Sequence, residues 1–118
     1  MFNPKLNGSK ILWTNSNPTS SFAGQTINNL DLSNYDSYRI IWATSTSGIV
    51  KQSTGSIPTG EKTEFFTCFY NNGVSVRYRQ VTAITSSSLT FGNATENGNT
   101  NNGACIPLYI IGYKTGLF

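Results

Sequence analysis

The sequence predicts an all-β fold, an antiparallel β-sandwich of about eight strands with a jelly-roll-like arrangement. Asn, Ser, Thr and Gly fill 54 of the 118 positions, which favours turns and strands over helices. No window carries a sustained helical period, whereas short apolar patterns recur between Gly, Pro, Asn and Ser. The length fits one domain, so we expect an N-terminal extension or linker over residues 1–9 and a single domain over residues 10–118.

The predicted strands follow one another at short intervals. Lys10 to Trp13 is the first, and the polar run Asn15 to Ser21 after it is a predicted loop. Tyr38 to Ala43 carries apolar side chains on both faces, which is typical of a central strand. The other predicted strands are apolar patterns bounded by turn residues, namely Gln25 to Leu32, Ile49 to Gln52, Glu64 to Tyr70, Val74 to Thr82, Ser88 to Phe91 and Cys105 to Tyr113.

The segment around Asn71, Asn72 and Gly73 predicts a hairpin with a three-residue loop and Gly73 in the left-handed conformation. A two-residue turn would place two arginines beside the best core candidates, whereas the three-residue loop makes one face wholly apolar. The pairs it predicts are Tyr70 with Val74, Cys68 with Val76 and Phe66 with Tyr78.

The opposite face of this hairpin is amphipathic in the predicted register, because arginines stand beside aromatic rings there. This surface suits a partner or a sugar. Its candidates for ligand binding or a subunit interface are Phe65, Phe69, Arg77 and Arg79.

The segment Gly92 to Ala104 is the low-complexity part of the chain, with five Asn and three Gly in thirteen residues. One interpretation is a mobile hairpin tip, since the segment offers little to bury. The other is a functional loop, in which Asn97, Asn99 and Asn101 are candidate ligand-binding residues.

Several classes of function find no residues to support them. The chain has no histidine and only five carboxylates, so we expect no catalytic residues, no metal site, no cofactor and no enzyme activity. Its eight basic residues are scattered, which argues against nucleic acid as a partner. No apolar stretch approaches the roughly 18 residues that span a bilayer, so we expect no membrane insertion.

Cys68 and Cys105 both lie in apolar strand patterns, which predicts buried, unreactive thiols. A disulfide between them requires Cα atoms within about 7 Å, and that alternative stays open. What remains for function is recognition by the surface, since Tyr, Trp, Asn and Arg are residue types that stack on sugar rings and bond to hydroxyls. Trp13 and the other large aromatics fit this role or a place in the core.

Two stretches of the chain resemble a module of tail and baseplate proteins from bacteriophages and prophages of Gram-positive bacteria. The first runs from Ile11 to Pro18, continues over Ser20 to Thr26 and ends with Leu30 to Asp36, and the second is Cys105 to Lys114. Together they bracket most of the chain. The middle, residues 44–104, carries no such resemblance.

The resemblance implies a virion component exposed to the extracellular medium, the distal receptor-binding head of a tail fibre or baseplate. In such proteins the head is a homotrimer that contacts host cell-wall polysaccharide or a surface protein, alongside other tail proteins. Two alternatives stay open. One is a carbohydrate-binding module of a secreted protein, and the other is a head-decoration or connector domain without a glycan ligand.

Overall fold

The computed structural model describes residues 8–62, 68–71 and 73–114. These residues form twelve strands and no helix, which confirms the predicted all-β class with more, and shorter, strands than expected. None of them lies in a helix long and apolar enough to cross a membrane. The strands are β1 (Gly8–Thr14), β2 (Gln25–Ile27), β3 (Ser37–Ser45), β4 (Lys51–Ser53), β5 (Ile57–Pro58), β6 (Cys68–Asn71), β7 (Val76–Arg79), β8 (Val81–Ile84), β9 (Leu89–Phe91), β10 (Thr95–Glu96), β11 (Asn99–Thr100) and β12 (Ala104–Lys114).

The strands pair antiparallel throughout and form three sheets. A five-stranded sheet has the order β1-β12-β3-β4, with β5 also paired to β3. A four-stranded sheet has the order β11-β10-β7-β6, and a three-stranded sheet the order β2-β9-β8. Strands β6 and β7 contact β12 and β3, so the four-stranded sheet packs on the five-stranded sheet as in an antiparallel β-sandwich.

The centre of the five-stranded sheet is the pair β3 and β12, so the predicted central strand is confirmed. Tyr38, Ile40 and Trp42 are buried on one face of β3, and Ala43 is buried on the other. Because both faces of β3 carry apolar side chains and the strand pairs with neighbours on both sides, it occupies an interior position in the sheet, although Arg39 on the Ala43 face is exposed.

Gly112 allows a close approach on β12. A Cβ atom at this position would lie 2.8 Å from Cγ of Tyr35 and 2.9 Å from Cδ1 of Leu12, closer than van der Waals contact permits. The missing side chain therefore lets the Tyr35 ring and β1 pack directly on the β12 backbone.

Some predicted strands end earlier or later than expected. The strand at Gln25 stops at Ile27, because Asn29 adopts a left-handed backbone with φ of 60°. The predicted strand Val74 to Thr82 divides at Gln80 into β7 and β8, which belong to different sheets. The strand predicted over Ile49 to Gln52 is β4, Lys51–Ser53, and Glu64 to Thr67 of another lie outside the described residues.

The predicted register of the β6–β7 hairpin is wrong. Asn71 pairs with Val76 and Cys68 pairs with Arg79, so four positions separate the paired strands instead of the three that were predicted. The predicted pairs of Tyr70 with Val74 and of Cys68 with Val76 do not form, and Phe66 lies outside the described residues. The prediction of a left-handed Gly73 is confirmed by its φ of 87°.

The physical reason is that a buried arginine is tolerated here. Arg79 is 0% exposed, although the predicted register was chosen to keep arginines away from the core. Its guanidinium donates hydrogen bonds to backbone carbonyls in the interior. These bonds offset the free energy that the cation loses when it leaves water, which is the cost that the predicted register avoids.

Candidate functional site

A cleft of about 270 Å³ opens where β1 ends and the following loop turns back into β2. It has one half-buried indole, two apolar neighbours and a set of uncharged polar side chains. The lining residues are Trp13, Asn15, Ser16, Asn17, Ser21, Phe22, Gln25 and Ile27. One aromatic ring beside several hydrogen-bonding groups offers a ligand both a stacking surface and polar partners.

The Trp13 ring is held from below by two buried phenylalanines. Its centroid lies 5.9 Å from that of Phe22, at an interplanar angle of 70°, and 6.2 Å from that of Phe91, at 44°. Phe22 and Phe91 also pack edge to face on each other at 5.6 Å. Three mutually packed rings fix the orientation of the indole, so its accessible part is a rigid surface.

Asn15 fixes the start of the loop to the last strand. Its backbone N–H donates to the Leu108 carbonyl at 2.9 Å, and its side-chain amide donates to the Pro107 carbonyl at 2.8 Å. Its side-chain oxygen accepts from the Asn17 N–H at 2.8 Å, which closes an Asx turn. Because Asn15 is buried and bonded on both sides, it is a structural residue of the cleft wall.

The far end of the loop is tied to the segment Gly92 to Ala104. The Phe22 N–H donates to the Asn102 carbonyl at 2.8 Å, and the Gly24 N–H donates to the side-chain oxygen of Asn93 at 2.8 Å. The loop is therefore anchored at both ends by backbone hydrogen bonds, which keeps the cleft open without a ligand.

The rim carries the polar groups that remain available. Ser16, Asn17 and Ser21 are exposed, and no hydrogen bond joins their side chains to the described part of the chain. Gln25 is exposed as well, and its amide nitrogen donates to the Ala23 carbonyl at 3.0 Å. These hydroxyls and amides can both donate to and accept from a ligand.

Arg79 lies behind the floor of the cleft. Its guanidinium donates to the carbonyls of Cys105 at 2.8 Å, Gly92 at 2.8 Å and Ala104 at 3.2 Å. Its central carbon lies 5.2 Å from the centroid of the Phe22 ring. One cation thus joins β7, the end of β9 and the start of β12 beneath the cleft.

Cys105 adopts a left-handed backbone with φ of 48°, and its carbonyl is one of the Arg79 acceptors. The thiol is buried, and burial raises its pKa to about 12. A thiol in this state stays protonated and unreactive. The expectation of a buried thiol is confirmed for Cys105.

A second polar cluster lies between β7 and β10. Arg77 forms an ion pair with Glu96 at 2.9 Å and donates to the Thr44 carbonyl at 3.1 Å. The side-chain amide of Asn101 donates to the other Glu96 oxygen at 2.7 Å. The hydrogen bond from Arg77, followed by those from Asn101 and Ser75, lowers the pKa of the Glu96 carboxyl.

The segment Gly92 to Ala104 contains the β10–β11 hairpin, in which Thr95 pairs with Thr100 and Glu96 with Asn99. The hairpin of the first interpretation is therefore confirmed, and the mobility of its tip stays a prediction. Asn97 and Gly98 form the turn with φ of 51° and 85°. The side-chain oxygen of Asn97 accepts from the Val76 N–H at 2.8 Å, and that of Asn102 accepts from the Ala94 N–H at 2.9 Å. Its asparagines bind the backbone in place of an apolar core.

The structure distributes the candidate residues over several places. Arg77 and Asn101 meet at Glu96, Asn97 lies at the hairpin turn, and Asn99 is exposed on β11. Arg79 is in the interior and not on the amphipathic surface where it was expected.

The other two candidates are Phe65 and Phe69. Phe65 lies outside the described residues. Phe69 is described as a backbone position of β6 paired with Tyr78, and its side chain lies outside the description.

None of the five candidates whose side chains the structure describes lines the cleft. Among the lining residues, Trp13 is the one for which the sequence suggests a place either in the core or at a ligand. The sequence reasoning assigns no binding role to the polar residues that follow it. A signal for them exists, since a polar loop with an Asx turn directly follows Trp13 and ends at Phe22.

Another cleft, of about 260 Å³, has a different character. Its lining residues are Leu32, Ser33, Thr59, Gly60, Thr85 and Ser86. Without an aromatic ring it offers no stacking surface, so the Trp13 cleft is the stronger site. In addition, no group of three or more His, Cys, Asp or Glu able to hold a metal ion occurs among residues 8–62, 68–71 and 73–114.

Comparisons with models of protein families, with curated proteins and with solved structures find no match to this chain.

Proposed function

We propose that this chain is a non-catalytic domain of a bacteriophage tail, in a fibre or baseplate, that binds host cell-surface polysaccharide through the Trp13 cleft. The observation that carries the proposal is a half-buried indole, fixed by two phenylalanine rings, at the base of a rim of uncharged polar side chains. The C–H face of a sugar ring packs on an indole, while its hydroxyls exchange hydrogen bonds with serine and amide groups.

The position of the cleft in the sequence supports the tail assignment. Its lining residues all fall within Ile11 to Ile27, and Ile11 to Pro18 and Ser20 to Thr26 belong to the first stretch that resembles phage tail and baseplate modules. The second resembling stretch, Cys105 to Lys114, contains the carbonyls of Pro107 and Leu108 that anchor the loop. The resembling segments thus build and support one surface feature.

We further propose that the domain works as a homotrimer beside other tail proteins. Two apolar side chains outside the cleft support a subunit interface because they are exposed to solvent in the single chain. Ile49, between β3 and β4, is 83% exposed, and Val74, between β6 and β7, is 84% exposed. A carbohydrate-binding module of a secreted protein would share the cleft, and a monomeric state in solution would favour that alternative. A connector or head-decoration domain would bind no glycan.

Sedimentation of the purified domain with cell walls from a panel of Gram-positive bacteria tests the proposal. Ser16→Trp fills the cleft from its exposed rim, and Ser56→Trp adds the same side chain to an exposed loop that does not line it. We expect the wild type and Ser56→Trp to sediment with at least one wall and Ser16→Trp to remain in solution. Binding by Ser16→Trp, or no binding to any wall, would contradict the proposal. Light scattering after size exclusion reports the trimer.

A further inference from the structure

We infer that the Trp13 cleft takes one uncharged sugar ring, a neutral hexose or an N-acetylhexosamine, and excludes phosphate-bearing and uronic acid units. This inference rests on the proposed function and specifies its ligand, because Gram-positive walls contain both neutral glycans and polyanionic polymers.

The charge of the residues that line the cleft determines which ligands it accepts. None of the eight lining residues that the structure describes is charged. A phosphodiester or carboxylate that leaves water for a site lined in this way loses hydration and gains no cationic partner from these residues, which costs far more than the burial of a hydroxyl. The same eight residues offer no carboxylate to a cationic ligand, so both signs of charge are disfavoured.

Arg79 is the cation that packs behind the floor of the cleft. The Phe22 ring lines the cleft and packs against its guanidinium, while the Cys105, Gly92 and Ala104 carbonyls accept its hydrogen bonds. Arg79 is 0% exposed, so it has no surface to offer an anion in the cleft. Its guanidinium is hydrogen-bonded to backbone carbonyl groups in the interior.

The polar groups of the rim match the hydrogen-bonding groups of a sugar. The hydroxyls of Ser16 and Ser21 both donate and accept hydrogen bonds, as a sugar hydroxyl does. The amides of Asn17 and Gln25 likewise combine a donor with an acceptor, which suits a hydroxyl pair or an acetamido group. An aliphatic chain would leave these rim groups without partners, so a polyhydroxylated ring fits better.

The size of the cleft limits how much of a ligand it can hold. The cleft volume of about 270 Å³ lies just below the roughly 300 Å³ at which pockets for drug-sized ligands begin. It therefore holds a single ring, with the rest of the polysaccharide outside. Such a contact is weak, with a dissociation constant on the order of 1 mM. Tight attachment to a wall then requires several copies of the domain acting together.

Competition on immobilised cell walls tests the inference with matched probes. Methyl glycosides of glucose and N-acetylglucosamine at millimolar concentration are compared with glucose 6-phosphate, glucuronic acid and poly(glycerol phosphate). We expect at least one neutral glycoside to displace the wild-type domain and the anionic probes to leave it bound. Binding should change by less than about twofold between roughly 50 mM and 500 mM salt, because no ion pair forms.

Thr19→Asp provides a second readout, since it adds a negative charge to the loop beside the cleft at an exposed residue that is not one of the lining residues. For an uncharged ligand we expect wall binding within about threefold of the wild type, whereas an anionic ligand would lose tenfold or more. Displacement by poly(glycerol phosphate) together with a tenfold loss in Thr19→Asp would overturn the inference and leave the proposed function intact. Absence of binding to any wall would instead remove the proposed function and this inference with it.

Discussion

Replacing Arg79 with methionine removes the guanidinium and keeps an unbranched apolar side chain in the interior. Three carbonyl groups then lose their donor, namely those of Cys105, Gly92 and Ala104. A hydrogen bond to a charged group contributes about 1.5 kcal/mol at the low end, so the three together amount to about 4.5 kcal/mol. Relief of the desolvation of a buried cation offsets part of this loss, and we expect a net destabilisation of about 3 kcal/mol.

Thermal unfolding measured by circular dichroism tests this expectation. For a domain of 118 residues the unfolding entropy is about 0.25 kcal/mol/K, so the loss corresponds to a decrease in Tm of about 12 °C. Arg79→Lys should not restore stability, because an ammonium group lacks the planar fork that reaches separate carbonyls.

The matched control is Arg77→Met, two residues earlier on the same strand. Arg77 is about one quarter exposed, and both its ion pair with Glu96 and its hydrogen bond to the Thr44 carbonyl are partly hydrated, so we expect a smaller decrease in Tm, of roughly 4 °C. If Arg79→Met melts within a few degrees of Arg77→Met, the account of Arg79 as the cation that joins three strands beneath the cleft is wrong.

Three further predictions concern the backbone and pH. Gly112→Ala should cost about 1–3 kcal/mol in urea unfolding because its Cβ clashes with two packed side chains, whereas Gly55→Ala, with open space around it, should not destabilise the fold. Asn97→Ala should cost about 1–2 kcal/mol because it strains a left-handed turn and removes the bond to the Val76 N–H, and equal loss in the exposed Asn99→Ala would argue against this. Folding raises the pKa of Cys105 from 9.0 to about 12, so the folded chain keeps a proton that the unfolded chain releases. Stability should therefore fall between about pH 9 and pH 12, with a smaller slope in Cys105→Ala, and identical slopes would contradict the burial of this thiol.

The parts of the fold that follow from local patterns were predictable from the sequence. Tyr38 to Ala43 has apolar residues on both faces, and it forms the interior strand β3. The apolar run from Cys105 likewise becomes β12, which pairs with β1 and β3 on its two sides. In both cases the sequence alone contains the physical cause, which is a strand with apolar side chains on both faces.

The register of the β6–β7 hairpin was not predictable in the same way. The rule that charge stays out of the core favoured a loop that keeps arginines on the surface. The acceptors that make Arg79 tolerable are the carbonyls of Gly92, Ala104 and Cys105, which lie 13 to 26 residues away along the chain. Such long-range compensation leaves no trace near residues 71–79, so local reasoning selected the wrong pairs.

The cleft was predictable only in part. Trp13 and the polar loop after it were visible as separate features, but the cleft depends on hydrogen bonds from Asn15 to Pro107 and from Phe22 to Asn102. The candidate asparagines raise a related point. Asn97 and Asn101 are bonded within the hairpin, which shows that asparagine in this chain often replaces apolar packing as a structural element.

Nuclear magnetic resonance titration of the labelled domain with a wall polysaccharide tests the central claim, glycan recognition at the Trp13 cleft, most directly. We predict that the largest shifts fall on the Trp13 indole N–H and on amides between residues 13 and 27, with little change at the Asn97 turn. Shifts confined to the hairpin of residues 95–100, or spread evenly over the surface, would contradict the account.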